Sequence, residues 1–171
     1  MTTPDAPSGP AAEPQLRRRL RERALTRLLH LYFRVSRGMT LGVRAAVLNA
    51  DGEVLLVRHT YVAGWHLPGG GVEVGETLED ALAKELREEG AIRLLGPAPL
   101  HGVFFNRAMS RRDHVAVFVV RAFVQVGVKR PDREIAEAGW FSLEALPEGT
   151  TGATRRRLAE IAEGTPPGAD W

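Results

Sequence analysis

Apolar and polar positions along this chain follow several distinct rhythms, and each rhythm predicts a different element. Between Gln15 and Arg37, Leu16, Leu20, Leu28, Leu31 and Val35 recur at spacings of three, four and eight. Arg17, Arg18, Arg19, Arg21, Arg23, Arg27, Arg34 and Arg37 lie between them. Spacings of three and four put residues on one helical face, so the stretch predicts a basic amphipathic helix. Thr40 to Leu48 is rich in β-favouring residues and Val54 to Val57 is an apolar run. With the Asp51-Gly52 turn signal between them, they predict a hairpin.

Leu67 to Gly75 breaks the pattern with Pro68, Gly69, Gly70, Gly71 and Gly75. Such density suits a loop that bends sharply or comes close to a ligand. A helix is predicted after it: Thr77 and Asp80 have capping-box spacing, Leu78, Ala81, Leu82 and Leu86 form an apolar stripe, and Gly90 suits the end. Leu100 to Phe105 and His114 to Val126 predict two further strands, the second apolar enough to be central and buried. Trp140-Phe141 opens a short segment closing at Pro147, and Thr154 to Ala162 predicts a last helix. Strands mixed with helices imply a layered α/β or α+β domain over residues 38–163. Residues 1–14 read as a disordered tail, 15–37 as the N-terminal helix and 164–171 as a C-terminal tail.

Composition then narrows the chemistry. The 171 residues suit one domain plus an appendage, and 44% apolar with 26% charged residues is enough for a core. There is no cysteine, which excludes disulfides, thiolate nucleophiles and thiolate metal sites. No apolar run is long enough for a transmembrane helix, and the first residues lack the apolar core of a signal peptide, so the expected location is cytoplasmic.

Between Gly70 and Ile92 the chain reads GGVEVGETLEDALAKELREEGAI. On a helix, Glu85, Glu88 and Glu89 stand at i, i+3 and i+4, within about a 100° arc. Like charges so placed repel, which a solvated surface tolerates and a hard divalent cation converts into a binding site. The glycine loop directly before the helix tips the reading towards a ligand, since such loops commonly meet phosphates or metals through their backbone.

These residues resemble the signature of the Nudix hydrolases, G-x5-E-x7-R-E-U-x-E-E-x-G-U with U aliphatic. Gly70, Glu76, Glu85, Leu86, Glu88, Glu89 and Ile92 fall on matching positions, while Lys84 replaces the usual Arg and Ala91 the usual Gly, so the helix ends either by turning at Gly90 or through a left-handed Ala91. The Trp65 to Gly70 stretch and the Trp140 to Pro147 segment extend the resemblance to about residues 40–150. It implies the α/β (α+β) Nudix fold, a mixed β-sheet sandwiched between helices, with the basic helix as an addition. It further implies hydrolysis of a diphosphate linkage in a nucleoside diphosphate derivative, dependent on Mg²⁺ or Mn²⁺.

By the same resemblance, Glu85 is the expected general base. The expected metal ligands are Glu85, Glu88, Glu89, the Gly69 carbonyl and an acidic residue from a later loop, Glu134 first and Glu137 second. Lys84 is expected to orient the glutamates and Glu76 to support the loop. Arg107, Arg111, Arg112 and His114 form a basic rim for phosphate or ribose. Trp65, Phe104 and Phe105 are candidates for base stacking, and His59 and His66 are expected to pack rather than to bind metal. The N-terminal helix admits packing or homodimer formation, a membrane surface, or RNA as its partner. A sensor that binds nucleotide without turnover is the alternative to an enzyme.

Overall fold

The structure, a computed structural model, describes residues 26–33 and 35–171. The expected tail over 1–14 and the first part of the basic helix, through residue 25, lie outside the described residues. The chain divides into two compact units, Met1–Gly38 and Met39–Trp171. In the first, residues 26–33 and 35–36 are helical with exposed side chains.

In the second unit the elements run β1 (Thr40–Val47), β2 (Glu53–His59), β3 (Trp65–His66), α1 (Leu78–Gly90), β4 (Ile92–Leu94), β5 (Leu100–Phe105), β6 (Asp113–Val120), β7 (Phe123–Gln125), β8 (Ile135–Ser142) and α2 (Gly152–Glu163). They form three sheets, ordered β1-β6-β5, β3-β2-β8 and β4-β7. The first is mixed, because β1 and β6 are parallel and β5 and β6 antiparallel.

The expected β1–β2 hairpin is only partly realised. Asn49 N–H donates to Glu53 O at 3.0 Å and one bridge joins Leu48 to Val54. Beyond it the strands part, β1 pairing with β6 and β2 with β3 and β8. Both strands are apolar on both faces, and each buries those faces best between layers rather than against each other. The predicted strand from His114 to Val126 also divides, into β6 and β7.

Alternation along the strands sorts the core into two layers. Val43, Ala45 and Val47 of β1, Leu55 of β2 and Ala116, Phe118 and Val120 of β6 pack with Ala81, Leu82 and Leu86 of α1. Their neighbours Ala46, Leu48, Leu56, Val115 and Val117 face the other way, packing with Trp65, Phe104 and Leu158 of α2. One helix therefore covers each side, as the period-2 pattern of doubly buried strands requires.

Helix α1 starts where its capping box predicts: Asp80 N–H donates to Thr77 Oγ1 and Thr77 N–H to Asp80 Oδ2, both at 3.1 Å. Its end takes the second of the two expected forms. Gly90 is still helical, and the left-handed cap is Ala91, at φ 53° and ψ 37°. A Cβ on Gly90 would stand 2.7 Å from Leu55 Cδ2, so the glycine there serves packing of the helix on β2, not the turn.

The C-terminal tail is tied down. Arg157 Nη1 donates to Asp170 O at 2.8 Å, Arg156 Nη2 to Trp171 O at 2.6 Å, and Trp171 N–H to Phe105 O at 3.0 Å.

Candidate active site

The glycine loop runs along the edge of β1 that β6 leaves free. Ala45 N–H donates to Pro68 O, Val43 N–H to Gly70 O and Val72 N–H to Leu41 O, each at 2.9 Å. Gly69 sits at φ +142°, and a Cβ there would be 2.1 Å from Val43 O. Only glycine lets the loop lie this close to the strand.

Two side chains then lock Gly69 from opposite sides. Its N–H donates to Glu89 Oε2 at 2.7 Å, and its carbonyl accepts a short bond from Arg44 Nη1. The same Arg44 nitrogen donates to Leu67 O at 3.0 Å. Burial works against the Arg44 charge and the nearby Glu89 and Glu85 support it, while a guanidinium keeps its proton throughout the ordinary pH range.

Glu85 lies one helical turn before Glu89, with its carboxylate against the loop: a Cβ on Gly70 would come within 2.4 Å of Glu85 Oε1. Burial raises the Glu85 pKa; Lys84 and Arg44 oppose the rise, and Glu88 and Glu134 add to it. Burial pushes Glu89 up to about 7 despite its bond from Gly69. Behind it His59 Nδ1 is 3.6 Å from Glu89 Oε1, and neither His59 nitrogen has a hydrogen-bond partner. Burial, then Arg44 and His66, lower His59 to about 4. Near neutral pH this contact therefore joins an uncharged imidazole to a carboxyl close to its midpoint, and is not an ion pair.

Opposite the loop a cleft of about 480 Å³ opens to solvent, lined by Arg44, Tyr61, His66, the Gly69–Gly71 backbone, Glu85, Glu89 and Glu134 among others. Asn106, Met109 and Asp113 from the β5–β6 loop and Trp171 from the C-terminus complete its wall. Asp113 is fixed there by Thr40 Oγ1 at 2.6 Å and Asn106 Nδ2 at 2.8 Å.

A family profile described as the NUDIX domain matches residues 38–160. The chain belongs to the Nudix hydrolase family. Among curated relatives, a MutT-like protein of Streptomyces ambofaciens is 29% identical over 128 residues, covering 75% of this chain and 80% of the relative. An ADP-ribose pyrophosphatase of Methanocaldococcus jannaschii is 30% identical over 105 residues, covering 60% of this chain and 62% of that protein. A MutT Nudix hydrolase from Burkholderia pseudomallei superimposes with TM-score 0.61 at 32% identity, covering 71% of this chain and 97% of that one.

Within this Nudix frame the predicted residues separate. Gly69, Glu85, Glu89 and Glu134 share the cleft. Glu88, at the outer edge of the helical arc, is exposed, with Arg87 Nη2 3.8 Å away. Lys84 meets neither Glu85 nor Glu88 through a hydrogen bond; its Nζ donates to Glu76 at 3.0 Å and Glu73 at 3.2 Å, and Glu73 N–H donates to Glu76 Oε2 at 3.0 Å. Those bonds hold the end of the loop to the helix. The Glu73 backbone N–H and then Lys84 lower the Glu76 pKa, and the Glu76 bond raises that of Lys84.

Trp65 belongs to the core, its ring 4.8 Å from that of Phe141, and does not line the cleft. Glu137 pairs with Arg58 at 2.7 Å on the sheet edge. Arg107 lies over the Phe105 ring, 3.7 Å from Asp170 Oδ1; Arg111 and Arg112 are exposed on the β5–β6 loop, whose Asn106, Met109 and Asp113 reach the cleft in their place. Phe104 is buried beside His101 and Trp171. His114 stacks on Phe105.

Sequence reasoning missed Arg44, Tyr61, Asp113 and Trp171. Arg44 left a signal, being the lone charge in a strand otherwise headed for the core, where a buried charge requires partners. Trp171 left none, because nothing local tells a docked tail from a free one.

Proposed function

We propose that this Nudix hydrolase cleaves a diphosphate linkage in a nucleoside diphosphate derivative, with a divalent cation, Mg²⁺ or Mn²⁺, as cofactor. The observation that carries this reading is that Glu85, Glu89 and Glu134 line one solvent-open cleft together with the glycine-loop backbone. The pyrophosphatase named among its relatives agrees with it.

The donor set suits a hard cation. Its ligands are carboxylate and carbonyl oxygens, and the raised Glu85 and Glu89 pKa values record buried negative charge that a cation would relieve. Glu85, Glu88, Glu89 and Glu134 would hold it, with the Gly69 carbonyl, whose second lone pair is left over from the Arg44 bond, as a further donor. When bound, the ion supplies charge neutralisation on the phosphate oxygens and Lewis acidity at the site.

The chain's own groups do the remainder. Glu85, with its raised pKa at the cleft surface, takes the proton of the attacking water. Glu89 and Arg44 hold the Gly69 peptide so that the loop backbone keeps its place beside that water. Lys84, through Glu73 and Glu76, acts on position rather than on substrate. Arg107, Arg111 and Arg112 supply positive charge beside the cleft for the distal phosphate.

The test is formation of the nucleoside monophosphate from ADP-ribose, nucleotide sugars and nucleoside triphosphates, and release of pyrophosphate or phosphate from 5′-triphosphorylated RNA, with Mg²⁺ or Mn²⁺ and with chelator. Glu85→Gln should lower turnover by about 10²–10⁴-fold. Turnover that survives both the chelator and Glu85→Gln would refute the reading; nucleotide binding without turnover on any compound would make the protein a sensor.

A further inference from the structure

The Nudix site leaves the first 37 residues without a task, and their chemistry is unlike that of the rest. Residues 15–37 carry eight arginines against Glu22 alone, a formal charge of +7, whereas the remaining chain has 15 basic and 20 acidic residues, a formal −5. The positive charge of the whole molecule thus resides in this one stretch.

Where the helix is described, its two faces differ sharply. Leu28, Leu31 and Tyr32 are 64%, 57% and 63% exposed, and Leu29 and Phe33 are exposed beside them. At 100° per residue, these five side chains cover about 200° of the helix surface, and Arg27, His30 and Arg37 share a stripe of about 80° on the opposite side. Arg37 reaches back over the Phe33 ring at 4.7 Å, and the Tyr32 and Phe33 rings lie 5.5 Å apart, so Phe33 sits at the boundary of the two faces and Tyr32 midway across the apolar one.

We propose that this helix docks the protein on an anionic lipid bilayer, lying in the plane of the interface. A broad apolar face, a narrow basic stripe and an aromatic at their boundary fit the headgroup region, where the apolar arc enters the acyl layer and the arginines meet anionic headgroups. No described helix is long and apolar enough to cross a membrane, so the mode is surface binding. An RNA partner would use the arginines and leave the leucines in water. A second copy would bring two +7 segments together with only Glu22 on each to pair with them. The lipid surface answers both faces at once.

The test is co-sedimentation of the full chain with phosphatidylcholine vesicles and with vesicles that are about one-third phosphatidylserine. Binding is expected to the anionic vesicles only and to weaken as salt rises. Each arginine near the surface is worth about fivefold in affinity, so Arg27→Gln with Arg37→Gln should weaken binding about 25-fold. Leu28→Ser with Leu31→Ser should weaken it by about tenfold or more through lost apolar burial. Hydrolysis of a soluble nucleotide should be unchanged in all of them, which separates this proposal from the catalytic reading. Equal pelleting with both vesicle types, leucine variants that bind anionic vesicles like the wild type, or a leucine-dependent dimer in sedimentation without vesicle binding would each overturn it.

Discussion

Two charge networks hold the same glycine loop from opposite ends, and they differ in what surrounds them. The inner one joins Arg44 to the Leu67 and Gly69 carbonyls and Glu89 to the Gly69 N–H, in the wall of the cleft. The outer one joins Lys84 to Glu73 and Glu76 at the surface, Glu73 being 75% exposed. The groups in both are charged and each cation makes two bonds. Inside, Glu89 is buried and Arg44 half-buried, so water replaces a lost partner poorly and removing one group strands another. Outside, water replaces it readily, and an ion pair contributes little. The inner network should therefore set both stability and the geometry of the site, and the outer one mainly the order of the loop.

The sharpest way to break this contrast is Arg44→Ala. It leaves two buried carbonyls without a donor and Glu89 and Glu85 without their cation, and should cost about 3–5 kcal/mol in urea unfolding along with most of the activity. A loss no larger than that of a surface pair would remove the distinction between the networks.

Glu89 offers a pH-resolved version. Its pKa in the fold, about 7, stands above the 4.5 of an ordinary glutamate, so folding favours its protonated form. That contribution is complete below pH 4.5 and is lost as pH rises through 7. In metal-free buffer the wild type should lose about 3 kcal/mol relative to Glu89→Gln over this window. A constant difference between the two proteins would contradict the burial argument.

Ala91→Gly tests the helix end at which the loop helix meets β4. With Ala91 at φ 53°, glycine should stabilise the fold by about 1 kcal/mol in thermal or urea melts, with no change in activity. The smallest effect is expected for Lys84→Met, with little change in the urea midpoint; a drop in kcat that Lys84→Arg restores would show that a cation bridging Glu73 and Glu76 matters for turnover.

Much of the fold was legible because it rests on local patterns. The α1 capping box, the strand from Leu100 to Phe105 and the buried run that became β6 all follow from periodicity and cap chemistry. What failed was the pairing of strands. Asp51-Gly52 signals a turn correctly, yet β1 and β2 belong to different sheets, since turn chemistry says nothing about which partner buries more surface beyond it. The site shows the same split. Glu85 and Glu89 were readable from helical spacing, but that spacing places Glu88 on the same arc, and only the packing of α1 on the strands puts Glu89 inside and Glu88 in water.

What the sequence by itself determined is the acidic helix behind a glycine loop, and with it the chemistry: cap, stripe and carboxylate spacing are all read within one helix, over distances at which chain connectivity dictates geometry. Only the tertiary structure decided which groups face that helix. It selected Glu134 for the cleft and gave Glu137 to Arg58, brought Arg44 under Gly69, and fastened Trp171 to the wall. These partners come from strands and a tail distant in sequence, and their positions follow from how the two apolar layers close around the sheets.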